Sequence, residues 1–149
     1  MNNYLPTDYQ TFIATSRYAR WLDDKGRRAT WTETVARYIN YMGSKIKLPN
    51  DVWDELEEAI LHLDVMPSMR ALMTAGEAAE RDNTCIYNCS YLPVDHIRAF
   101  DEAMFILLCG TGVGFSVERQ FITKLPDVPE NLDYSDDIIM VKDSKEGWA

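Results

Sequence analysis

The most reactive side chain this sequence offers is a cysteine in polar company, Cys89 in Asn88-Cys89-Ser90-Tyr91. A thiol in such a setting serves as a nucleophile or a hydrogen donor once it faces a cavity. Downstream stands Gly110-Thr111-Gly112-Val113-Gly114-Phe115-Ser116-Val117, in which Gly112, Gly114 and Ser116 fall on one parity and Val113, Phe115 and Val117 on the other. Period two is the signature of a strand. One face of that strand is apolar and the other is nearly bare backbone, which marks close approach by a ligand or by another backbone. A thiol and a smooth strand face, joined by one amphipathic segment over 95–108, make the candidate site.

Competing chemistries fit the residues less well. A dinucleotide fingerprint starting at Gly110 would need glycine where Phe115 stands, and no Lys-Ser/Thr pair follows for a phosphate loop. Both of those motifs also run from strand into helix, whereas here a helix precedes the glycines. Tight packing against a neighbouring element is the plain reading of the run, and a ligand is the other. Cys85 and Cys89 are not a CxxC pair, and on one strand they would stand about 13 Å apart, beyond disulfide reach. With only His62 and His96 to add, a zinc site is not expected. Cys109, at the end of an apolar helix, reads as a small core hydrophobe.

The elements that must position these groups follow from periodicity. Residues 1–15 carry little pattern and read as an extended arm. A short helix is expected over 16–22, stopped near Gly26. Thr30-Trp31-Thr32-Glu33 fits a capping box, and Trp31, Val35, Tyr38, Ile39 and Met42 follow at helical spacing up to Gly43. A further helix begins after Pro49 with the stripe Val52, Leu56, Ala59, Ile60 and Leu63. Pro67 breaks the pattern at Met66-Pro67-Ser68-Met69-Arg70, and 70–76 reads as a strand or a helical turn. A loop is expected over 77–84 and a strand over 85–92. Asp95 is then expected to cap a helix with the stripe Ile97, Phe100, Met104 and Leu107, closed by Gly110. An acidic loop from 127 to 137 and a strand over 138–141 complete the reading.

Composition narrows the function. The 149 residues carry a net charge of −9, which argues against nucleic-acid binding, since phosphate contacts need clustered Lys and Arg. The basic residues gather once, at Arg17, Arg20, Lys25, Arg27 and Arg28, and read as a solvated helix end. No apolar run approaches membrane-spanning length, and Met1-Asn2-Asn3-Tyr4-Leu5-Pro6 lacks the regions of a signal peptide. An odd cysteine count with no disulfide framework suits a reducing cytoplasm.

Taken together, the blocks resemble the N-terminal part of the ribonucleotide reductase catalytic chain, nearest to the adenosylcobalamin-dependent (class II) branch. The matching blocks, in order, are Tyr18-Ala19-Arg20-Trp21-Leu22 with Gly26-Arg27; Trp31-Thr32-Glu33-Thr34-Val35; Met66-Pro67-Ser68-Met69-Arg70; Asn88-Cys89-Ser90-Tyr91; Gly110 to Val117; and Asp143-Ser144-Lys145-Glu146-Gly147-Trp148. The resemblance implies an α/β fold, with an N-terminal helical region over 1–65. Residues 66–149 would supply the first strands and helix of the family's ten-stranded α/β barrel, which is incomplete in this chain.

The resemblance also implies a reaction. Ribonucleoside di- or triphosphates lose their 2′-hydroxyl by thiyl-radical chemistry, and a cysteine pair that becomes a disulfide is reset by thioredoxin or glutaredoxin. Cys89 matches the first of that pair. Met66, Ser68, Asn88, Gly112 and Gly114 match positions lining the substrate, and Asp95 falls near a position that holds a deoxynucleotide effector. Adenosylcobalamin is the implied cofactor, with its binding residues elsewhere. The radical cysteine, the catalytic glutamate and the second redox cysteine match nothing here, Cys85 and Cys109 included, and no activity-regulating ATP cone is expected. The implied protein is therefore a reductase portion, inactive alone, that works with the remaining C-terminal chain. A non-catalytic remnant or binding module of a split reductase gene is the alternative.

Overall fold

The computed structural model describes residues 4–131 and 134–149. The chain divides into compact units between Ile86 and Tyr87.

The first unit is mostly helical. Helix α1 (Asp8–Ile13) occupies what reads from sequence as an extended arm. The cause is local: Thr7 Oγ1 accepts from the Gln10 amide at 3.2 Å, and Gln10 Oε1 accepts from the Thr7 amide at 3.0 Å. This is a capping box with glutamine at its third position. The helix expected over 16–22 is replaced by a π-turn, Ala14–Tyr18, and a short antiparallel ribbon of β1 (Trp21–Leu22) with β2 (Arg27–Arg28). Gly26, at φ +59°, supplies the left-handed residue that this turn requires.

Helix α2 (Trp31–Lys45) opens on the capping box expected at Thr30 and Glu33 and runs past Gly43, a position inside it. Helix α3 (Asn50–Leu61) packs on it. Val35, Ile39, Ile60 and Leu61 form the core, ringed by Tyr4, Trp31, Tyr38, Trp53 and Leu56. Helix α4 (Met69–Thr74) resolves the ambiguous 70–76 segment as helix, capped by Ser68 and anchored by the fully buried Leu72. Helix α5 (Glu77–Arg81) and a 3-10 turn (Asn83–Ile86) stand where a loop is expected.

The basic cluster is not a solvated helix end. Arg20 donates to the carbonyls of Met73 and Thr74 at 3.1 and 2.9 Å, and Arg37 donates to Leu72 at 2.7 Å. These guanidiniums satisfy the carbonyls at the C-terminal end of α4, where cations are favoured. Burial lowers the pKa of Arg37 to about 10. Lys25 and Arg27 reach Glu33 at 2.6 and 2.8 Å. The Arg27 hydrogen bond, then those of Lys25 and of the Thr30 amide, hold the Glu33 carboxyl well below the usual carboxylate range.

A pH dependence follows. A depressed folded-state pKa contributes stability above the unfolded value, and that contribution is lost as pH falls through the folded one. Glu33→Gln keeps a capping acceptor without the charge. Its stability deficit against wild type should be full at neutral pH and narrow as pH drops below about 4.3. Denaturant melts at stepped pH measure it; a deficit that stays constant down to acid pH would refute this role.

In the second unit, β3 (Cys89–Pro93) and β4 (Gly112–Ser116) form a parallel pair, in register Cys89↔Gly112 through Pro93↔Ser116. Parallel neighbours need a crossover, and α6 (Ala99–Leu108) provides it. Gly110, at φ +82°, ends the helix, the left-handed position common after a C-cap. The strand expected over 85–92 starts later, at Cys89. Its first residues turn instead, because Asp82 accepts from the Thr84 amide at 3.0 Å and the Cys85 carbonyl takes the Arg70 guanidinium at 2.9 Å. The distance between Cys85 and Cys89 expected from one strand therefore does not apply.

The stripe Ile97, Phe100, Met104 and Leu107 is exposed, with Ile97 at 64% and Phe100 at 62%. Helix α6 faces its core with Ala99, Ala103 and Ile106, against Leu92, Val94, Val113 and Leu125. Small side chains let the helix lie close on the strands, so the bulky residues point outward. Asp95 does not cap α6: the N-cap is Arg98, with no side-chain bond. Helix α7 (Arg119–Ile122) and α8 (Lys145–Trp148) complete the unit. Residues 138–141, expected as a strand, are exposed and pair with nothing in a sheet. The acidic stretch 127–137 has no helix or strand among its described residues; positions 132 and 133 lie outside them. No helix among the described residues is long and apolar enough to cross a membrane.

Candidate functional site

Strand register builds the site. Side chains alternate along each strand, so the pairing Cys89↔Gly112 and Tyr91↔Gly114 lines one face of the pair with a thiol, a phenol and two bare positions. Cys89 is exposed and Tyr91 is 64% exposed. A side chain added at Gly112 or Gly114 would meet only backbone, Asn88 O at 3.4 Å and Ser90 O at 3.6 Å. Those are distances across the ladder, so the space above both glycines is open. Packing against another element within this unit therefore does not account for them.

The ladder itself is well tied. The Gly112 amide donates to Asn88 O at 2.9 Å, Ser90 Oγ donates to Gly112 O at 3.2 Å, and the buried Thr111 hydroxyl donates to Tyr87 O at 2.9 Å. These bonds clamp the segment before Cys89 to the start of β4 and fix where the thiol emerges. Nothing among the described residues hydrogen-bonds to the Cys89 sulfur. Chemically, the face presents a reachable thiol beside an open backbone surface.

Of the residues singled out from sequence, Asn88, Cys89, Gly112 and Gly114 come together here. Met66 and Ser68 belong to the other unit, where Ser68 caps α4 and Met66 helps line an apolar groove with Leu5, Ile13, Trp31 and Leu63. Asp95 is held by His96 Nδ1 at 2.9 Å and Lys124 Nζ at 3.2 Å. The His96 bond first, and Lys124 second, lower its pKa, and Asp95 in turn raises that of His96. Tyr91 and Thr111 were missed. Tyr91 was legible in principle, since it follows Cys89 at the spacing of two that shares a strand face. No group of three potential ligands for a metal occurs among the described residues. His62 is exposed beside Glu58 and edge-on to Tyr4.

The chain as a whole has similar counterparts among known proteins. The adenosylcobalamin-dependent ribonucleoside-triphosphate reductase of Lactobacillus helveticus is 31% identical over 161 residues, a match covering 86% of this chain. The enzymes of the same name from Lactobacillus gasseri and Lactobacillus leichmannii are 28% and 27% identical. The chain is similar, over most of its own length, to part of the adenosylcobalamin-dependent ribonucleoside-triphosphate reductases. It spans about a fifth of the length of those reductases, 21%. A crystal structure of a B12-dependent (class II) ribonucleotide reductase matches the fold with a TM-score of 0.67 over 94% of this chain and 28% of that one, at 22% identity. No protein-family model matches the chain.

The reductase relatives are named for adenosylcobalamin.

Proposed function

We propose that this chain is the N-terminal portion of a ribonucleotide reductase that converts ribonucleoside di- or triphosphates to 2′-deoxyribonucleotides, with Cys89 as one of its reducing cysteines. The observation that carries the reading is the register Cys89↔Gly112 in a chain whose sequence relatives are such reductases. An exposed thiol over an open glycine face suits a donor that must reach a sugar carbon. Residues 66–149 are read as the opening strands of the family's ten-stranded barrel and 1–65 as its helical region.

In this reading Cys89 delivers hydrogen as the 2′-hydroxyl leaves as water. It then closes a disulfide with a second cysteine outside these 149 residues. Two thiols give up two protons and two electrons, and thioredoxin or glutaredoxin returns them. Gly112 and Gly114 leave room for the nucleotide, and Asn88 borders it. Asp95, pinned by Lys124, serves a deoxynucleotide effector. Adenosylcobalamin, bound by the remaining reductase chain, would supply the radical that starts the reaction. The setting proposed is the reducing cytoplasm.

The test is reconstitution. The 149-residue chain, mixed with a chain carrying the remaining reductase sequence, adenosylcobalamin and a dithiol reductant, should form deoxynucleotide; the 149 residues alone should form none. Turnover by the chain alone would overturn the division of labour. No turnover from a mixture whose assembly is verified by sedimentation would favour a non-catalytic role.

A further inference from the structure

Helix α6 is followed by Cys109, a half-buried cysteine at its C-cap. Its sulfur lies 3.2 Å from Lys145 Nζ, at the start of α8. The amine is itself well placed: it stands 4.7 Å from the centre of the Phe105 ring and 4.0 Å from a Glu146 carboxylate oxygen, with the side chain 21% exposed. An ammonium within hydrogen-bond distance favours the thiolate over the thiol. Partial exposure of both groups leaves the sulfur reachable by a small oxidant. Cys85 and Cys89 lack this company, since no described residue bonds to either sulfur.

We propose that Cys109 and Lys145 form a peroxide-sensitive modification site in which the oxidised cysteine is captured by the lysine amine through a sulfur–nitrogen bond. The oxidant is hydrogen peroxide. The Cys109 thiolate attacks its terminal oxygen, an S–O bond forms, the O–O bond breaks and hydroxide leaves, giving the sulfenic acid. That hydroxide takes a proton from the Lys145 ammonium and becomes water. The freed amine attacks the sulfenic sulfur, the N–S bond forms, the S–O bond breaks, and a second water leaves. With hydrogen peroxide, thiolate plus ammonium plus oxidant thus becomes the cross-link plus two waters, and sulfur is the group oxidised. The lysine both activates the thiol and traps its product, which halts the climb to the irreversible sulfinic and sulfonic acids. Added thiol restores the pair by attack on sulfur. The link joins residues 36 apart in sequence, the C-terminal end of α6 to α8. It is independent of the part assigned to Cys89.

The experiment treats the full chain with hydrogen peroxide, blocks remaining thiols by alkylation, and maps peptides by mass spectrometry. Cys109 should be consumed about tenfold faster than Cys85 or Cys89, because the neighbouring ammonium raises its thiolate fraction. A peptide joining Cys109 to Lys145, lighter by two hydrogens than its parts and cleaved by excess thiol, should accumulate. Lys145→Arg keeps the positive charge without a competent amine, so Cys109 should still oxidise fast but proceed to sulfinic acid. Lys145→Gln should lose both speed and link. The idea fails if wild-type Cys109 reacts no faster than the other cysteines. It fails equally if Cys109 reaches sulfinic acid with no joined peptide, or if Lys145→Gln leaves its rate unchanged. Circular dichroism of both variants checks the fold, and the wild-type map decides the matter without either of them.

Discussion

Cys89→Ser in the reassembled reductase should stop repeated turnover with a dithiol reductant while leaving the fold and the assembly intact. Serine is nearly isosteric and Cys89 is exposed on β3 with no bond to its sulfur, so the change removes no packing and no partner. What it removes is the capacity to give up hydrogen and form a disulfide. Cys85→Ser and Cys109→Ser act differently. Both residues are half-buried; a hydroxyl at Cys85 costs on the order of 1–3 kcal/mol if it is left without a partner, whereas one at Cys109 keeps Lys145 beside it. Cys85→Ser should be less stable, and both variants should still turn over. The measurement is deoxynucleotide formed per enzyme over many cycles, with complex formation checked for each variant. Normal turnover by Cys89→Ser alongside a dead Cys85→Ser would move the reducing role four residues upstream.

Gly114→Val should fold normally and lose activity. The position lies in the middle of β4, paired with Tyr91, and an added Cβ would stand 3.6 Å from Ser90 O, an ordinary contact. Valine also suits a strand, so melting should shift little. Its methyl groups would instead fill the open space beside Cys89 and Tyr91, where the nucleotide is proposed to lie. Forcing two groups into one volume typically costs about 1–3 kcal/mol, which corresponds to roughly fivefold to 150-fold weaker binding. Substrate titration of the reassembled enzyme reads this as a raised KM with unchanged melting. A variant that melts much earlier would show that the glycines serve packing, and unchanged kinetics would put the substrate elsewhere.

Local chemistry was legible in the sequence wherever a few neighbouring residues suffice. The capping box at Thr30 and Glu33, the stop at Gly110 and the alternating strand from Gly112 to Ser116 depend on contacts within four residues or on parity alone, and each stands in the fold. Cys89 as the exposed thiol was readable from its polar neighbours, and the reductase resemblance from blocks held in order. The N-terminal helix was readable too, had Thr7 and Gln10 been taken as a capping pair with glutamine in the acceptor position.

Tertiary structure alone decided the rest, because the determining partners are distant in sequence. Arg20 and Arg37 look like surface charges until α4 presents them with carbonyls more than thirty residues away. The side of α6 that is buried was misread from side-chain size: close approach to a strand pair favours Ala99 and Ala103, which turns Phe100 and Met104 outward. Asp95 does not act as a cap because α6 begins only at Ala99, with Arg98 at the N-cap, three residues beyond Asp95. The coincidence of Cys89 with Gly112 required a register, which parity cannot supply: a slip of one residue would have set the thiol beside Val113 and closed the open face.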